Sequence, residues 1–157
     1  MAAIAVAVFL PPSRTAADPV IAEFVADNEN GLRDEDNTVQ DWMDIHNPSA
    51  SPFSLDGWFL TDSATNLTKW KFPPVTLAPG EFLVVFASNK DRRIAGQPLH
   101  TNFSLSKGGE YLALVRPDGT TVQHQYAPSY PAQDPDRAYG LIFSRTTLLA
   151  DGANADY

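Results

Sequence analysis

The chain has 157 residues, 43% of them hydrophobic and 11% aromatic, which suits one domain with a sizeable core and excludes disorder throughout. A net charge of −8 repels phosphate backbones and anionic lipid, so no nucleic-acid partner is expected. The absence of cysteine excludes a disulfide framework, thiolate metal sites and a thiol nucleophile.

Residues 2–10 (AAIAVAVFL) form an uninterrupted apolar run, followed by Pro11, Pro12 and small residues up to Ala17. The run is far short of the ~20 residues of a membrane span. Apolar core, helix breaker and small residues are the order in which a secretory signal peptide ends. Residues 1–17 therefore read as a signal peptide cut near Ala17, although no basic segment precedes the apolar run, and the protein as secreted. No other window reaches membrane length.

Residues 20–26 (VIAEFVA) are β-rich and follow a proline, so they read as the first strand. Residues 27–37 are polar, with Asn30-Gly31 as a turn signal. In residues 41–47 (DWMDIHN) alternation puts Met43 and Ile45 on the core face and Trp42, Asp44 and His46 on the other. Asn47-Pro48 ends that strand. A strand is expected over 53–60, with Gly57 as a bulge or close-contact point and Trp58 and Leu60 in the core. Another is expected over 67–72 (LTKWKF), burying Thr68, Trp70 and Phe72. Pro79-Gly80 signals a type II turn.

Residues 81–88 (EFLVVFAS) and 110–115 (EYLALV) are apolar on both faces, as central strands are. Pro117-Asp118-Gly119 predicts a hairpin from the second of these into residues 120–126. Residues 89–103 read as a longer, partly basic loop, and residues 138–143 as one more strand. No segment carries a helical period over ten or more residues. Short strands separated by turn signals point to an all-β sandwich or barrel spanning residues 19–143. Residues 144–157 read as a linker toward a further domain.

No catalytic constellation emerges. His46, His100 and His124 lie far apart, without H-x-H or H-E-x-x-H spacing, and there is no nucleophile elbow, phosphate loop or dinucleotide fingerprint. No catalytic residue and no organic cofactor is therefore assigned. One acidic cluster has useful spacing: Asp34, Asp36 and Asp41 could supply the alternating hard oxygen ligands that Ca2+ prefers. It is not an EF-hand, since Val39 stands where that loop needs glycine and Ile45 where it needs glutamate. A solvated acidic loop is the other reading. Trp42, on the outer face, is the candidate ligand contact, as an aromatic platform for a sugar ring. Trp58 and Trp70 are core by periodicity.

The stretch DWMDIHNPSASPFSLDGWFLTD, then WKFP at 70–73, LAPGEFLVVFAS at 77–88, LHTNFSL at 99–105, GEYLAL at 109–114 and PDG at 117–119 resemble the lamin tail domain of bacterial secreted proteins. The resemblance implies an immunoglobulin-like β-sandwich and a non-catalytic interaction or structural module of a larger secreted or surface protein. Its implied partner is a protein or a cell-surface polymer. The alternative is a glycan-binding accessory of a secreted hydrolase.

Overall fold

The computed structural model describes residues 18–141, and the leader and linker segments expected at 1–17 and 144–157 lie outside them. The strands are β1 (Val20–Val25), β2 (Asp41–His46), β3 (Phe53–Ser54), β4 (Phe59–Thr61), β5 (Trp70–Lys71), β6 (Thr76–Leu77), β7 (Phe82–Ala87), β8 (Leu99–His100), β9 (Leu112–Val115), β10 (Val122–Tyr126) and β11 (Tyr139–Gly140). They form a five-stranded sheet ordered β11-β1-β2-β7-β8, a four-stranded sheet ordered β10-β9-β4-β5, and the small pair β3-β6. All pairings are antiparallel except β7 with β8. Among the described residues no helix is formed. The fold is an immunoglobulin-like β-sandwich.

The two large sheets close on one core. Ile21, Phe24, Met43, Ile45, Val85 and Leu99 come from the first sheet, and Leu60, Trp70, Leu112 and Leu114 from the second. The alternation of β2 is as expected: Met43 and Ile45 are fully buried, while Trp42, Asp44 and His46 are half-buried on the opposite face. In β1, Ile21 and Phe24 both point inward although three residues apart, which strict alternation forbids. A bulge between Ile21 and Glu23 absorbs the extra residue. Phe24 packs its ring on Tyr130 at 4.6 Å and on Tyr126 at 5.1 Å, and the Tyr126 hydroxyl donates to the Ile21 carbonyl across the sandwich at 3.1 Å. Burial pushes the Tyr126 hydroxyl up to about 12, so it stays protonated for that bond.

Two strand expectations and one loop expectation need correction. The run at 53–60 is not one strand: Gly57 has φ +81°, a left-handed turn conformation, and the chain leaves the β3-β6 pair there to enter the four-stranded sheet. Gly57 is thus a turn and not a bulge, while Trp58 and Leu60 are core as expected. The run at 67–72 is strand only at Trp70–Lys71. Its first half turns because Thr61 Oγ1 donates to the Asn66 carbonyl at 2.7 Å, and Thr68 is exposed. The basic loop at 89–103 contains β8, which is two residues long and held by parallel pairing, a feature without local periodicity. Of the strand expected at 138–143, Tyr139–Gly140 is formed, and residues 142 and 143 lie outside the described residues.

Asn47 joins these parts. It is fully buried at the end of β2. Its amide nitrogen lies 2.9 Å from the Ser51 carbonyl, 3.0 Å from that of Ala78 and 3.2 Å from that of Leu77, and its Oδ1 accepts from the Ser49 amide and hydroxyl. Its backbone N–H donates to Glu81, and its carbonyl accepts from Gly80, the left-handed residue of the Pro79-Gly80 turn. One residue thus ties the end of β2 to the start of β7 through its backbone, and to the loop into β3 and the end of β6 through its side chain. Asn47→Ala leaves buried carbonyls without donors and is expected to cost about 3 kcal/mol in urea unfolding. Trp58→Ala, which empties a core site against Phe53, is expected to cost ~3 to 5 kcal/mol. A loss under ~1 kcal/mol in either would break the corresponding assignment.

Candidate functional site

The acidic loop before β2 is a tight turn with its own hydrogen bonds. Arg33 bridges Val39, Asp34 N–H donates to the Thr38 carbonyl at 3.0 Å, and Asn37 takes the left-handed conformation (φ 59°) that asparagine tolerates. The Asp34 side chain is fully buried. Its carboxylate accepts from Asp36 N–H and Thr38 N–H, both at 3.0 Å, from the Thr38 hydroxyl at 2.9 Å, and from the Lys90 ammonium. Asp36 accepts from Lys90 at 2.7 Å and from Arg92 at 2.6 Å. Glu35 accepts from Arg92 and from His100 Nε2, the latter at 2.9 Å. His100 is fully buried in β8, stacked on Phe86, with Nδ1 2.8 Å from the Ser88 hydroxyl. A carboxylate only accepts, so His100 Nε2 carries a hydrogen.

These residues form a clamp between the loop at 33–39 and the segment at 88–100. Burial raises the pKa of Asp34, but the bonds from Lys90 and Thr38 outweigh it and hold the carboxyl well below the usual carboxylate range. Burial likewise raises Glu35, and its bonds from His100 and Arg92 bring it below its ordinary value. The bonds from Arg92 and Lys90 lower Asp36. Asp34 and Asp36 are thus brought together, but around an ammonium. Asp41 is spent elsewhere, accepting from Asn28 N–H at 3.0 Å at the head of β2. The metal-capable group among the described residues, with ligand atoms within 4.8 Å of one another, is Asp34, Glu35 and His100. A Ca2+ ion on Asp34 and Asp36 would have to displace Lys90. Ser88 and His100 lie within the stretches that carry the family resemblance, but no metal or catalytic spacing marks them, Lys90 or Arg92. The opposite charges of the loops at 34–36 and 90–93 are the signal that points to their contact.

Trp42 lies on the outer face of the five-stranded sheet. Register there aligns Val25, Trp42, Phe86 and His100 in one row, and Glu23, Asp44 and Val84 in the next. His46 and Phe82 stack beyond them at 4.1 Å. The clamp closes one side of this face through His100, and the chemistry of the site is therefore electrostatic and aromatic.

Residues 12–128 match the Lamin Tail Domain family. The chain belongs to the lamin tail domain family. The match takes in every strand from β1 to β10, and it begins inside the segment expected as leader. Lamin tail domains are immunoglobulin-like interaction and structural domains, and the family is non-enzymatic. No curated protein matches the chain. Among the described residues no helix is long and apolar enough to cross a membrane.

Lys90→Met leaves the buried Asp34 carboxylate without its counter-ion, and a loss of about 2 kcal/mol is expected in urea unfolding at neutral pH. Arg92→Met, at a half-exposed pair, should cost clearly less. The pH profile should show two opposed slopes. Asp34, Glu35 and Asp36 are lowered in the folded state, so their contribution is present above about pH 4 and is lost on acidification. Asp44 is pushed up to about 6, by burial first and by the Glu23 charge second. The folded state therefore holds its proton longer, and this contribution is lost as pH rises from about 4 to about 6. Asp41 and Glu110, also raised by burial, act in the same sense. Asp44→Asn should flatten that descent and raise neutral-pH stability by on the order of 1 kcal/mol, read from melting across pH 3 to about 8.

Proposed function

We propose that this lamin tail domain is a non-catalytic module of a larger secreted or surface protein, working by contact with another protein or a cell-surface polymer. The observation that carries the reading is where the chain's reactive groups go. The hydroxyl, imidazole and carboxylate of Ser88, His100 and Glu35 form a chain of the kind hydrolases use, but His100 has no solvent exposure and cannot pass a proton to a leaving group. The network holds two segments together, and family membership points the same way. The apolar run at 2–10 supports export, and protein-sequencing mass spectrometry of the mature protein should find its first residue near Asp18.

The glycan-binding alternative rests on Trp42, which is half-buried on the outer face beside Phe86. Binding to a glycan array that disappears in Trp42→Ala, with the melting temperature kept, would favour it; binding that survives would sink it. For calcium at Asp34, Asp36 and Asp41, the measure is melting with millimolar Ca2+ against chelator. Since Lys90 holds the central position, the midpoint is expected to stay unchanged, and a rise of several degrees with Ca2+ would establish the site.

A further inference from the structure

Glu23 and Asp44 are direct partners across β1 and β2 on the outer face of the five-stranded sheet. Like charges at opposed positions of a ladder destabilise it. Elsewhere the fold neutralises crowded carboxylates with its own cations, as Lys90 and Arg92 do for the loop at 34–36. Among the described residues, neither Glu23 nor Asp44 forms an ion pair. Asp44 Oδ1 is screened from solvent and has no hydrogen-bond partner among them. The surroundings are apolar: Trp42 lies two residues before Asp44 on the same face, and Val84 stands directly opposite Asp44 on β7. Two carboxylates with an indole beside them, in a setting drier than water, complement an alkylammonium or guanidinium group and offer an uncharged sugar no such advantage.

We propose that this face docks a lysine or arginine side chain from a basic segment of a protein partner. Its cationic head sits on Glu23 and Asp44, and its stem lies along Trp42 and Val84. The net charge of −8 draws such a segment in from a distance. The proposal rests on the reading of the chain as an interaction module and names the chemistry of its contact. The titratable groups on the face are Glu23 from β1, Asp44 and His46 from β2 and His100 from β8, the last buried and held by Glu35; β7 contributes Phe82, Val84 and Phe86. The raised Asp44 means that affinity should grow as pH rises from about 5 to about 7, and loss of any charge on His46 acts in the same direction.

The experiment is a two-dimensional amide NMR titration of the full chain with an acetylated tetralysine amide, at low salt, alongside the same peptide with every side chain acetylated. Shifts are expected to centre on the backbone of Glu23 and Asp44 and on the Trp42 indole N–H. They should vanish with the acetylated peptide and weaken at least tenfold in Glu23→Gln/Asp44→Asn, a variant expected to melt no lower than the parent. Absence of shifts, shifts spread over the acidic surface or centred on Asp134 and Asp136, or binding unchanged in the double variant would each overturn the proposal. Dimerisation without peptide that the double variant loses would assign the face to a second copy and overturn it as well. Capture of a protein from the source cells separates this idea from the broader one. Equal capture by parent and double variant keeps the interaction module and removes this face, whereas no capture together with no peptide binding removes both.

Discussion

The amide of Asn47 is the interaction on which the rest of the structure depends. Where a β-sandwich buries a strand end, every carbonyl buried there needs a donor. Asn47 sits where β2 stops, and its amide supplies donors to two segments at once, the loop into β3 at Ser51 and the end of β6 at Leu77 and Ala78. Its backbone anchors the Ala78–Glu81 turn, so the start of β7 is set against the end of β2, six paired positions from Asp41 with Ala87 to His46 with Phe82. The register of β2 with β7 decides which side chains face outward. Core and outer face are therefore both consequences of one polar group satisfied in the interior.

The clamp between the acidic and basic loops solves a different problem. A chain with many more acidic than basic residues could not afford to leave Asp34, Glu35 and Asp36 unpaired in a tight turn. Lys90, Arg92 and His100 answer them from more than fifty positions away in sequence. Asp34 is the buried centre of this arrangement and its pair with Lys90 is the least screened. The outer pairs, half in solvent, contribute orientation more than energy. The same clamp seats β8 on the sheet edge and brings His100 under Phe86. Two remote loops thus become one rigid rim beside Trp42.

Within this frame the outer face is where function has room. The core face is filled by Met43, Ile45 and their partners, and the rim is neutralised internally. Among the described residues, Glu23 and Asp44 stand side by side on the ladder with no ion pair to compensate them. A module that works by contact keeps its uncompensated chemistry where a partner can complete it, and this placement agrees with the non-enzymatic character of the lamin tail domain family.

Much of the fold was legible in the sequence because it rests on local rules. Alternation in DWMDIH separates Met43 and Ile45 from Trp42 and Asp44, proline after Asn47 stops the strand, and Pro79-Gly80 and Pro117-Asp118-Gly119 form the turns they signal. Other features were hidden because their causes are remote. The left-handed conformation of Gly57 splits one apparent strand between two sheets, the bulge in β1 follows from packing, and β8 exists only as a partner of β7. The acidic residues of the candidate site were visible as a cluster, but composition is silent on which cation meets them. By itself the sequence determined the faces of β2, the turns at Pro79-Gly80 and Pro117-Asp118-Gly119, and the family, since periods and turn chemistry act over a few residues. The tertiary structure alone decided that Asp34 meets Lys90, that Asp41 leaves the cluster, and that Glu23 stands beside Asp44. Those pairings depend on register and loop closure, which join residues distant in sequence.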